Sequence, residues 1–134
     1  MSGLGQKKTV EVVAAVIWNG DEILCVQRGE SKLNYISKKW EFPGGKLEQG
    51  ESEPEALLRE IKEELNVDVE VQEKIITVQH EYADFFITMH TYKCILSHRD
   101  VSLLEHIDMC WRKSDNLSNL DWAAADVPIV ELLS

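Results

Sequence analysis

Three observations predict an α/β (α+β) fold, with a mixed β-sheet sandwiched between helices. Two β-branched, apolar runs flank Asn19-Gly20-Asp21, the strongest short hairpin signal in the chain. A single amphipathic helix with its own start signal lies near residues 53–65, and strand-like runs occur on both sides of it.

Residues 1–8 are polar and glycine-containing and are expected to form a flexible N-terminus, which leaves 9–134 as a single domain. "TVEVVAAVIW" and "EILCVQR" read as the two hairpin strands, and "GESKLNYISKK" as a polar, partly basic loop. "WEFPGG" leads to the helix. Its start is marked by Ser52 and Glu55, which fit a capping box, and by Pro54, whose missing N–H costs nothing in a first turn. "VDVEVQEKIITVQH" and "FFITMHTYKCIL" follow as a second strand pair, and "IDMCW" as a further short strand. "AADVPIVELL" closes the chain as a short helix with Pro128 in its first turns.

The 134 residues suit one domain with a real core, and 28% charged with 44% hydrophobic residues is ordinary globular composition. A net charge of −10 argues against a nucleic-acid polymer or a membrane surface as partner, because both need a cationic field. Cys25, Cys94 and Cys110 are odd in number and far apart, so they are expected to be buried thiols in a reducing compartment. The longest apolar run, Val12 to Trp18, is too short to span a bilayer and no signal-peptide pattern precedes it, which points to the cytoplasm.

On the helix, Leu57, Leu58, Ile61 and Leu65 share an arc of about 100° that is expected to face the core. Glu60, Glu63 and Glu64 fall in a second arc, opposite or flanking the first. Like charges at these spacings repel by roughly 0.2–0.5 kcal/mol per pair, and acids in a last turn oppose the helix dipole. Such a cluster is either a solvated acidic face or a set of oxygen ligands for a hard divalent cation.

The neighbouring residues separate the two readings. Gly45, Glu51 and Arg59, followed by "REIKEELNV", match the pattern G-x5-E-x7-R-E-U-x-E-E-x-G-U, in which U is aliphatic, with Asn66 standing for the last glycine. That pattern is the Nudix box, and the chain is identified as resembling the Nudix hydrolases. "WEFPGGKLE" resembles the lead-in of the MutT-like branch, and "LDWAAADVPIVELL" is similar to the tails of MutT-type and CTP pyrophosphohydrolase-type members. The resemblance implies a Nudix fold. It also implies attack by water on a phosphorus of a nucleoside triphosphate bound as its Mg²⁺ complex, with Mn²⁺ possible, releasing a monophosphate and pyrophosphate.

By that resemblance Glu60, Glu63 and Glu64, with the Gly44 carbonyl, are the expected metal ligands; the i, i+3, i+4 spacing of the acids agrees. Glu60, Glu63 and Glu105 are the candidates for the catalytic carboxylate that takes the proton. Glu51 and Arg59 are expected to form a two-pronged ion pair that fastens the preceding loop to the helix, and Gly44 and Gly45 to let backbone pass close by. Arg28, Phe42 and Asp126 are the candidate substrate-binding residues. Asp126 can read a base edge or cap the final helix, Phe42 and Trp122 can stack on a base or fill core, and Arg28 can meet substrate or water. The four histidines show no ligand spacing.

The implied function is clearance of 8-oxo-dGTP-like or modified pyrimidine nucleotides, as in DNA repair, by a monomer or homodimer. The alternatives are hydrolysis of a dinucleoside polyphosphate or nucleotide sugar, or a non-catalytic nucleotide-sensing module of the same fold.

Overall fold

The computed structural model describes residues 7–134. The strands are β1 (Lys8–Asn19), β2 (Glu22–Gln27), β3 (Trp40–Glu41), β4 (Gly44–Lys46), β5 (Glu70–Glu81), β6 (Phe85–Ile95) and β7 (Asp108–Lys113); the helices are α1 (Glu53–Leu65) and α2 (Val127–Leu133). Of the expected flexible segment, residues 1–6 lie outside the described residues. Lys8 already opens β1, opposite Phe85, and Lys7 pairs with Glu81, so the ordered strand starts earlier than its apolar pattern. Main-chain pairing, rather than side-chain hydropathy, sets that boundary.

β1 is the hub of the sheet. It runs parallel to β6 from Lys8 to Trp18, pairs antiparallel with β2 through a two-residue turn, and at Val12–Ala14 pairs with β4. Gly20, with φ 62°, supplies the left-handed conformation that this hairpin turn requires. β2 also carries β3 and β7, and β5 closes the far side on β6, giving a mixed sheet.

Alternate residues of β1 point to opposite faces, and each face receives one helix. Val13, Ala15 and Ile17 pack with Leu57, Ile61 and Leu65 of α1. Ala14 and Val16 pack with Phe42, Trp122 and the α2 residues Ile129 and Val130. Both faces are covered, which is why the centre of β1 reads as one continuous apolar run. Among the described residues no helix is long and apolar enough to cross a membrane.

α1 starts as its sequence predicts, with Ser52 and Glu55 completing the capping box, and it ends on Asn66 at φ 55°, ψ 41°. Its buried face is rotated from the expected one. Leu58 is 43% exposed, whereas Glu64 is only 7% exposed. At about 100° per residue Glu64 projects within about 20° of Leu57, in the middle of the buried arc, while Leu58 sits at its edge. The thiols of Cys25 and Cys94 are buried as expected, but Cys110 is half-buried; all three are free.

Candidate functional site

An open cavity of about 460 Å³ lies between the β1–β6 surface, the loop after β2 and the turn before α2. Asp126, Tyr82 and Arg28 line one part, and Gly44 and Gly45 line another. Against those two glycines stand the acids of α1. A Cβ on Gly45 would come 2.3 Å from the Glu60 carboxylate, and one on Gly44 would strike the Val13 carbonyl at 1.9 Å. Only glycine lets β4 run between β1 and the helix acids at this distance.

Each acid has a different setting. Glu64 is buried, and its Oε1 accepts from the Gly44 N–H at 3.3 Å. Burial, then the nearby charges of Glu41, Glu60 and Glu105, push its carboxyl up to about 8. Glu60 is also raised, chiefly by burial, although Arg59 Nη1 at 2.9 Å opposes the shift. Glu63 is about half exposed and reaches the same guanidinium nitrogen at 3.4 Å. Glu105, exposed on the 101–107 segment, lies near enough for its charge to act on Glu60 and Glu64.

Arg59 and Glu51 form the expected fork, Nε to Oε2 at 2.7 Å and Nη2 to Oε1 at 2.9 Å. Arg59 holds the Glu51 carboxyl below its ordinary range. The Arg59 Nη2 also donates to the Lys46 carbonyl and Glu51 accepts from the Glu48 N–H, which ties the box loop to the helix. Among the described residues, no three His, Cys, Asp or Glu side chains converge tightly enough to grip a metal as they stand. Arg59 occupies Glu60 and Glu63 instead.

The other part of the cavity is assembled from distant segments. Trp40 and Trp122 form a bridge, with Trp40 N–H donating to the Asp121 carbonyl and Ala123 N–H to the Trp40 carbonyl, both at 2.9 Å. This brings Asp126 to Phe42, whose N–H donates to Oδ1 at 3.0 Å. Asp126 precedes α2 but its side chain makes no capping bond. Burial, followed by the charge of Glu41, raises its carboxyl well above the usual range. Phe42 is 3% exposed and stacks on Trp122 at 4.7 Å between centroids, so these rings meet each other. Arg28 is about half exposed and donates from Nε to Glu41 Oε1 at 3.2 Å.

Three residues to which sequence reasoning gives no role, Glu41, His106 and Tyr82, support these parts. Glu41 accepts from Arg28 and also from His106, whose Nε2 lies 3.0 Å from Oε2. Tyr82 accepts from the Ala125 N–H at 2.9 Å and so steadies the turn that carries Asp126. The one sequence signal for Glu41 is its place within "WEFPGG"; nothing local marks His106 or Tyr82.

A family model described as a NUDIX domain matches residues 13–132. The chain is 34% identical to a CTP pyrophosphohydrolase of Escherichia coli, over 92% of this chain and 90% of that protein. It is 33% identical to a putative 8-oxo-dGTP diphosphatase of Mycobacterium tuberculosis, over 86% of this chain and 81% of the other. The solution structure of a MutT protein from methicillin-resistant Staphylococcus aureus superposes with a TM-score of 0.73 at 42% identity, over 96% and 97% of the two chains.

Proposed function

Because the chain belongs to the Nudix family and is a nucleotide pyrophosphohydrolase, we propose that it is a Mg²⁺-dependent enzyme that converts a nucleoside triphosphate carrying an oxidised purine or a pyrimidine base to its monophosphate and pyrophosphate. The observation that carries this reading is a juxtaposition: the acids of α1 and a cavity ending at buried Asp126 meet across Gly44 and Gly45. One place suits phosphates held through a cation, the other a nucleobase.

The donor set fits a divalent cation. Glu64 is pushed up by burial and by the charges of Glu41, Glu60 and Glu105, an excess of negative charge that Arg59 offsets only in part. Glu60, Glu63, Glu64 and the Gly44 carbonyl would hold the cation. When bound it neutralises the polyphosphate and lowers the pKa of an attacking water. Glu60, Glu63 or Glu105 takes the proton, while Glu51 and Arg59 keep the β4–α1 loop in place. At the other end Asp126, already engaged with the Phe42 N–H, keeps Oδ2 for a base edge.

The relatives' names favour two bases, cytosine and oxidised guanine. A cavity of about 460 Å³ suits one nucleoside better than the two large groups of a dinucleoside polyphosphate. The test is a product-resolved assay with Mg²⁺ and ordinary, oxidised and methylated nucleoside triphosphates. Pyrophosphate from one or a few of them, abolished by chelator, is the expected result; binding without turnover across the panel would overturn it.

A further inference from the structure

We propose that His106 is a positioning residue that fastens the Glu105 segment to Glu41 and so holds the hydrolytic end of the cleft in register with the base-binding end. This rests on the function proposed above for the same cleft.

The 101–107 segment contains no helix or strand. It is held instead at separate points. Ser102 N–H donates to the Leu65 carbonyl and Leu104 N–H to the Glu64 carbonyl, both at 3.0 Å, so the segment closes the C-terminal end of α1. Beyond Glu105, Ile107 N–H donates to the Gln27 carbonyl at 3.0 Å, and His106 Nε2 meets Glu41 Oε2 at the same distance. Glu105 therefore stands between an anchor on the catalytic helix and an anchor on the pocket wall. His106 is the side-chain member of the second anchor.

Glu41 is fixed on both oxygens, by His106 and by Arg28. Its charge reaches Glu64 on one side and Asp126 on the other. A shift of its carboxylate would be felt at both ends.

The ring itself argues for this role over simple packing. Its side chain is only 5% exposed, and Nδ1 is buried without a hydrogen-bond partner. An unpaired buried polar atom is costly, so packing alone would favour an apolar ring of similar size, and the imidazole is kept at the cost of Nδ1 for the bond that Nε2 makes to Glu41. What phenylalanine cannot supply is the Nε2 donor to Glu41. Glutamine can extend an N–H to nearly the same place.

The experiment compares the wild-type protein with His106→Phe and His106→Gln over the nucleotide panel, alongside melting curves. The expected result for His106→Phe is a loss of about tenfold or more in kcat and a narrower spread among bases, with only a small change in melting temperature, since removal of the unpaired Nδ1 offsets the loss of a donor to Glu41; His106→Gln recovers most of the activity. Wild-type kcat in His106→Phe, or a kcat loss matched by a large fall in melting temperature that His106→Gln does not relieve, would overturn the proposal. Ring and amide ¹⁵N spectra of the free protein test it without turnover. Glu41→Gln is expected to move the His106 Nε2 signal and the amides of residues 101–107, and no movement would overturn the inference. If the wild-type protein turns over no nucleotide, the proposed function fails, while the spectra still decide the role of His106.

Discussion

Glu64 and Asp126 are both buried carboxyls raised above their usual range, yet they reach the cleft by different routes. Glu64 shares a 13-residue helix with Glu60 and Glu63, and its position follows from helical geometry once the helix is docked. Asp126 meets Phe42, 84 positions away, because the Trp40–Trp122 bridge folds the tail onto β3. The helix end is thus a local charge pattern offset by one arginine, and the pocket end is a product of long-range pairing. The proposed function puts chemistry at the first end and discrimination at the second, a division that experiments can break.

The largest expected effect is on rate. Glu64→Gln replaces an expected cation ligand by a neutral amide and is expected to cost about 10²-fold or more in kcat on every nucleotide alike, read by steady-state kinetics. A change in base ranking instead would mean that the two ends are not separable.

Next is the pH dependence of stability without metal. Glu64 is raised from 4.5 to about 8 on folding, so its contribution is complete below pH 4.5 and is lost as pH rises through 8. Melting temperature in chelator is expected to fall across that window for the wild-type protein, and Glu64→Gln to fall less. Melts in chelator at several pH values check the sign. Added Mg²⁺ is expected to stabilise the wild-type protein most at the alkaline end, where the ligand is ionised.

Asp126→Ala sharpens the comparison from the other side. It is expected to shift the ratio of kcat/KM between the best and second-best base by about tenfold, with a smaller change on the poorest substrate. An equal loss on all bases would assign Asp126 to holding Phe42 alone.

The smallest effect concerns the helix face. Leu58→Gln is expected to change stability by no more than about 0.5 kcal/mol, since Leu58 is 43% exposed. Leu57→Ala, at a fully buried position, is expected to cost about 2–5 kcal/mol. Urea denaturation of the two variants checks the rotation of the buried arc.

Features that depend on near neighbours were legible in the residues. The Asn19-Gly20-Asp21 turn, the Ser52/Glu55 cap, the left-handed Asn66 and the Glu51–Arg59 fork all involve partners within about one helix turn or one loop. Hydropathy placed Leu58 in the core and Glu64 outside it, and the structure reverses both. Glu64 is admitted beside β4, where its carboxyl accepts from the Gly44 N–H, and Gly45 leaves room for the Glu60 carboxylate next to it. The sequence allows Asp126 to be either a helix cap or a base reader. Its side chain makes no capping bond and turns to Phe42, a choice that depends on a strand far away in sequence.

By itself, then, the sequence determined the mixed sheet, the single capped helix, the acid triplet with its arginine clamp and the family to which they belong, because short-range spacing and hydrogen bonding specify these. Tertiary structure alone decided which glutamate is buried, where Asp126 points, and that Glu41 is gripped by Arg28 and His106. Those outcomes depend on desolvation and on contacts between segments that meet only after the sheet has formed, and no local pattern encodes either.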